Sequence, residues 1–361
     1  MKYRTAKILP EKTLTTTGTE TIDINLKDII SRITLAWRIV RSKNNMDSYP
    51  YADITKIELV DGSEVLHSMN GGENQALCIY DRKCGSMNNG EHMLSTDEYS
   101  LFGIDFGRFL YDPLLAFDPK RYRNPQLKVS YDVDVSDTGV TSGYLEIWAD
   151  CFDEKVVSPV GFLTSKEHWA GSKPVSSAYE YVDLPTDYPI RKMLVRAYAK
   201  SVEPWYQLGG VRIDEENEKR IPFDWDDMED YTRVMKGIWT PVNELFAGHG
   251  DGNGIQFYVT PTSYFLGVGL SAVYVVSNIG FSASSQKGGS FLLKTNGQAA
   301  EVNGQIQGYL PNHCFEFQFG DQMDIDDWYD VTKLGSLRLR LKGGSASTTT
   351  DGVVLQQLRK Y

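Results

Sequence analysis

Apolar residues fall at every second position through much of this chain. Ile33, Leu35, Trp37 and Ile39 alternate with Thr34, Ala36 and Arg38. Residues 127–135 alternate throughout, with Lys128, Ser130, Asp132 and Asp134 on the second face. Phe315-Glu-Phe-Gln-Phe319 and Leu337-Arg-Leu-Arg-Leu341 repeat the pattern. A period of two sends successive side chains to opposite faces, so each segment predicts an antiparallel strand with one face in a core and one in water. Turn chemistry separates the runs, at Asp61-Gly62, Asn89-Gly90, Thr138-Gly139, Asn296-Gly297 and Asp351-Gly352. Helical spacing is confined to residues 73–80 and to residues 225–235, where Met228, Tyr231 and Met235 share a stripe. Residues 41–52 and 161–177 have no strong period and read as surface loops, the second joining two halves.

The pattern is also stated twice. Thr21-Ile-Asp-Ile-Asn-Leu26 leads into Ile30-Ser-Arg-Ile-Thr-Leu-Ala-Trp37, and then into Ile57-Glu-Leu-Val-Asp-Gly-Ser-Glu64. Tyr181-Val-Asp-Leu184 leads into Ile190-Arg-Lys-Met-Leu-Val-Arg-Ala-Tyr198, and then into Val211-Arg-Ile-Asp-Glu-Glu-Asn-Glu218. A helical stretch follows each third segment, and the strands at Leu127 and Leu337 close their halves. Repetition on this scale signals two copies of one structural unit, and 361 residues divide comfortably into two domains. The expected fold is all-β, with two eight-stranded jelly-roll sandwiches in tandem (a double jelly roll), short helices and long surface loops. The expected division is an N-terminal arm over residues 1–20, a first roll over 21–170 and a second over 171–361.

Composition narrows the function. A net charge of −11 argues against a surface built for nucleic-acid backbones, so no specific nucleic-acid binding is expected. No run reaches the roughly 18 apolar residues of a membrane span, and the first residues lack the apolar segment of a secretory signal. Lys2, Arg4, Lys7 and Lys12 make the start basic, which reads as a frayed soluble terminus. Cys78, Cys84, Cys151 and Cys314 are too few for a disulfide framework and lack zinc spacing, so they read as reduced thiols.

Candidate chemistry is sparse, and no catalytic, cofactor-binding or metal-binding residue is assigned. His67, His92, His168, His249 and His313 are scattered outside any metal motif. His249-Gly-Asp-Gly-Asn-Gly254 brings oxygens between glycines but lacks the closing bidentate Glu of a calcium loop, so it reads as a turn. Acidic clusters at residues 224–230 and 321–327 supply Asp224, Asp226, Asp324 and Asp326 as candidate carboxylates for glycoside chemistry. The helix dipole already explains the acids that open the helix near Trp225.

The chain resembles the double jelly-roll major capsid proteins of the adenovirus–tectivirus lineage, particularly those of tailless icosahedral viruses of bacteria. The resemblance rests on residues 57–66 with the helix at 73–80, and on Arg191-Lys-Met-Leu-Val-Arg-Ala-Tyr198. It rests also on Leu208-Gly-Gly-Val-Arg-Ile-Asp214 with its following helix, and on the strands around Leu127 and Leu337. Residues 248–309, rich in Gly, Ser and aromatics, depart from it. The resemblance implies a non-enzymatic coat protein that folds in the host cytoplasm and assembles as pseudo-hexagonal homotrimers into an icosahedral virion shell. It leaves room for penton or minor capsid proteins as neighbours, and for an internal membrane beneath, which the basic arm would face. Trp205, Tyr206, Trp239, Trp328 and Tyr329 are candidate contact anchors, with ordinary core as their plainer reading. The alternative is a two-domain sandwich that binds or hydrolyses carbohydrate, with Trp148, Trp169 and Trp205 stacking on sugar rings. A trimeric spike is a third reading, weakened because no repetitive shaft is visible.

Overall fold

The computed structural model describes residues 1–44, 47–172, 174–250, 254–270, 281–295, 300–346 and 350–361. The first half contains β1 (Tyr3–Thr15), β2 (Thr17–Asp23), β3 (Ile30–Val40), β4 (Ile54–Asp61) and β5 (Glu64–Met69). It continues through α1 (Gly71–Arg82), β6 (Gly90–His92), β7 (Asp97–Asp105), β8 (Pro125–Asp132) and β9 (Ser142–Phe152). The second half opens with β10 (Gly161–Ser172), β11 (Tyr179–Leu184), β12 (Ile190–Tyr198) and the single turn α2 (Pro204–Gln207). Next come β13 (Leu208–Glu215), β14 (Arg220–Trp225) and α3 (Met228–Met235). An insertion follows, with β15 (Val242–Gly250), β16 (Ile255–Tyr258), β17 (Pro261–Leu270), β18 (Phe281–Lys287), β19 (Ser290–Thr295) and β20 (Ala300–Pro311). The chain closes with β21 (Cys314–Gln318), β22 (Leu337–Gly343) and β23 (Thr350–Lys360).

Pairing makes the two halves equivalent strand for strand. The first roll packs the sheet β1-β9-β3-β7 against β2-β8-β4-β5, and the second packs β10-β23-β12-β21 against β11-β22-β13-β14. Every antiparallel pair in one roll has its counterpart in the other. Each roll therefore has eight strands in two four-stranded sheets, which is a double jelly roll. Alternation builds the cores as the sequence predicts. Ile33, Leu35, Trp37 and Ile39 are fully buried in the first, and Leu337, Leu339 and Leu341 line the second. Gly143 lies against the Trp37 indole, where a Cβ would come within 2.1 Å of the ring.

Three expectations are corrected. The basic start is not an arm: β1 pairs with β9 from Tyr3↔Phe152 to Thr15↔Ser142, and β2 pairs with β8. Its period is hidden because the pairing shifts register twice, between Lys7 and Leu9 and between Leu9 and Lys12. Residues 161–172 are not a loop but β10, so the second roll begins at Gly161 rather than at 171. The first five residues of β10 are all buried, and a strand covered on both faces shows no alternation. The second helix starts at Met228, because Trp225 ends β14 and Asp227 caps the helix by accepting from the backbone N–H of Glu229 and Asp230.

The segment at 248–309, unplaced from sequence, belongs to a small sandwich inserted between α3 and β21. Its sheets are β17-β20-β15-β6 and β16-β19-β18, and Phe246, Phe257, Phe291, Leu293, Val302 and Ile306 form its own core. The first roll carries only β6 at the matching place, and that strand pairs in parallel with β15.

Deleting residues 1–15 is predicted to lower the thermal midpoint by several degrees or more and to promote aggregation, since it bares one edge of β9 and uncovers Leu14's neighbours in the core. Thermal unfolding of the truncated chain checks this. An unchanged midpoint would mean that β1 contributes nothing to the first roll.

Candidate functional site

The most concentrated chemistry lies where the rolls meet. Helix α1 is set by a capping box: Asn70 accepts from the Glu73 N–H, and the Glu73 carboxylate accepts from the Asn70 N–H. The helix carries Asp81 to the second roll. There Asp81 Oδ1 lies 2.7 Å from both Arg191 Nη1 and Lys192 Nζ, and Lys192 Nζ lies 2.5 Å from Glu316 Oε1. Gln356 closes the group, donating to Asp81 Oδ2 at 2.9 Å and accepting from Arg191 at 2.7 Å. Burial alone would raise the Asp81 pKa, but Arg191 and Lys192 outweigh it and hold the carboxyl far below its usual range. The group borders a cavity of about 370 Å³ that also touches Tyr80, Trp239 and Met323. With two anions matched to two cations and few lone pairs unused, this is a clamp between domains. The sequence held one faint signal for it. Asp81 sits in the last turn of a helix, where the dipole disfavours an anion and a cationic partner is needed.

A second buried group lies at the other end of α1. Glu73 faces Glu167 of β10 and Arg196 of β12. Burial first, and then the Glu167 carboxylate, push Glu73 up to about 8, with Arg196 opposing. A third group ties the insertion to the first roll. Tyr49 Oη donates to Glu244 Oε1 at 2.5 Å, the Thr260 N–H donates to the other Glu244 oxygen, and Ser86 and Asn88 both reach the Thr260 hydroxyl. Close by, the fully buried Arg41 lies 3.3 Å from Asp137 and 3.6 Å from Glu98.

The structure does not gather the candidates read from sequence into a cleft. Asp224, Asp226, Asp324 and Asp326 are all exposed. Asp224 lies 3.9 Å from Arg212, and Asp324 accepts from the Asp326 N–H. Trp239 and Trp328 are core residues, while Trp205, Trp169 and Tyr329 pack on the second core and Tyr206 remains exposed. Trp148 is half-buried with Lys7 lying over its ring. His67 and His313 are buried, and burial pushes both down to about 3. Part of the 249–254 turn falls at 251–253, outside the described residues. Among the described residues no group of three or more His, Cys, Asp and Glu side chains is placed to hold a metal ion. Cys78, Cys84, Cys151 and Cys314 are free thiols.

No protein-family model matches the chain, and no curated protein matches it. Solved structures do. The major capsid protein P2 of bacteriophage PM2 aligns with a TM-score of 0.55 and 8% identity, over 99% of this chain and 98% of its own. The STIV MCP aligns at 0.60 and 11% identity, over 99% and 96%. VP54 of PBCV-1, fitted into a reconstruction of the virophage Sputnik, aligns at 0.58 and 10%, over 99% and 93%. These TM-scores over nearly the whole chain establish a shared fold, and at identities this low the likeness is one of fold alone.

The Glu73 pair makes a pH prediction. An acid whose pKa is raised by folding keeps in the native state a proton that the unfolded chain gives up. Its contribution is full below the ordinary value of 4.5 and is lost as pH rises toward about 8. Glu73→Gln keeps an acceptor for the cap, so melting temperatures across that window should fall less steeply with pH than in the native sequence. A parallel profile would show that Glu73 titrates normally.

Proposed function

We propose that this chain is the major coat subunit of an icosahedral virus, three copies forming a pseudo-hexagonal homotrimer that tiles the capsid. The observation that carries the reading is the duplication itself. Two rolls with matched pairing in every sheet give three chains six similar lobes, and six similar lobes make a nearly hexagonal tile from a three-fold assembly. The neighbours by fold are named as capsid proteins, and the likeness spans both rolls. The virion shell is then its location, other trimers are its main partners, and penton or minor capsid proteins and an underlying membrane belong to the same picture. A catalytic role has little to support it: Asp224, Asp226, Asp324 and Asp326 are exposed and are not gathered in one cleft, and Asp81 and Glu316 are matched to Arg191 and Lys192.

The carbohydrate reading loses ground to a specific observation. Trp148, Trp169 and Trp205 are each at least half covered by their own chain, so none of the three offers an open face for stacking on a sugar ring.

The purified protein is expected to run in native mass spectrometry at three times 40.7 kDa, and to be silent on a glycan array and a polysaccharide hydrolysis panel. A stable monomer that binds or cleaves a sugar would overturn the proposal.

A further inference from the structure

The two rolls are joined edge to edge by one junction. Strand β5 of the first lies beside β10 of the second, in parallel, with Ser68 opposite Lys166. The Thr164 hydroxyl reinforces it by donating to the Leu66 carbonyl. This junction makes one eight-stranded sheet, β2-β8-β4-β5-β10-β23-β12-β21, from one sheet of each roll.

Because the rolls are equivalent, the same two edges exist a second time, and among the described residues neither has a strand beside it. The counterpart of β5 is β14, which ends the sheet β11-β22-β13-β14. The counterpart of β10 is β1, which ends the sheet β1-β9-β3-β7. Burial follows the pairing. The last four residues of β5 are buried, whereas none of β14 is. The first five residues of β10 are buried, whereas β1 buries only Ala6 and Leu14. Edge strands left this open are templates for another chain.

The matching positions can be read from the registers. The bridges Ile30↔Phe117 and Ile190↔Tyr329 equate Ile30 with Ile190, and the pairing shifts at the same point after each. Three residues on, Ile33 pairs with Ala149, which pairs with Ala6; Met193 pairs with Leu355, which pairs with Lys166. Ala6 is thus the counterpart of Lys166. On the other side, Ile57↔Met69 matches Val211↔Trp225, which makes Asp224 the counterpart of Ser68.

We propose that β14 of one chain docks beside β1 of a second copy, in the parallel register of the internal junction, with Asp224 opposite Ala6. The proposal rests on the trimer reading above and names the surface that makes the trimer. The surplus of charge is opposite on the two edges: β1 carries Arg4, Lys7 and Lys12 against one Glu11, each cation also paired within the chain (with Asp28, Glu146 and Glu20), while Asp224 and the following Asp226 and Asp227 outweigh Arg220 at the β14 edge. The contact is head-to-tail, so it closes into a ring when each step turns by one sixth of a circle, which uses three chains and six rolls.

The test is the full-length double variant Ala6→Cys with Asp224→Cys, oxidised mildly and run beside each single variant. Parallel neighbours are about 4.8 Å apart, within the reach of a disulfide. Reducible covalent trimers from the double variant alone are expected. Trimers by native mass with no cross-link would overturn this edge while leaving the coat-protein reading standing; monomers by native mass would overturn both. A second variant avoids the core position Ala6. Asp224→Lys with Asp226→Lys, at exposed sites, is expected to raise the trimer dissociation constant at least tenfold, and an unchanged constant would count against the proposal.

Discussion

A strand edge must find partners for its backbone N–H and C=O groups, and this architecture turns on how the edges of two like rolls are satisfied. Strand β23 lies between β10 and β12 and so completes the inner sheet of the second roll, while β10 reaches across to β5. The result is a single sheet shared by both cores. Two sandwiches that would otherwise be joined by a flexible linker are held as one unit, and their outer edges face away in fixed directions. The assembly proposed above would need that rigidity.

The buried charges serve the same end. Asp81, Arg191, Lys192 and Glu316 have at most 5% of their side-chain surface exposed, and taking such groups out of water costs nearly as much as their attraction returns. Their value lies in orientation: only one docking of α1 on β12 and β21 pairs every charge. The Tyr49–Glu244 contact acts likewise for the inserted sandwich, which is fixed to the first roll although it is encoded in the second.

Much of the fold was legible because alternation survives wherever one face of a strand meets water. The strands at Ile30, Ile57, Leu127, Ile190, Val211 and Leu337 fall where the repeat placed them, and their pairing reproduces the correspondence drawn from sequence. Strands β10 and β1 were misread for opposite reasons: β10 is covered on both faces, and β1 is interrupted by register shifts. The site was less legible. The acidic run at 224–230 is conspicuous in sequence, but the relation to β1 proposed for it follows only from which edges the topology leaves open. Asp81 is a single residue whose partners lie more than a hundred positions away.

Electron microscopy of the purified native protein, with two-dimensional averages, tests the central claim most directly. The account predicts hexagonal outlines built of six similar lobes around a three-fold axis, with one extra lobe per chain from the insertion between α3 and β21. Separate two-lobed particles that never associate would contradict it.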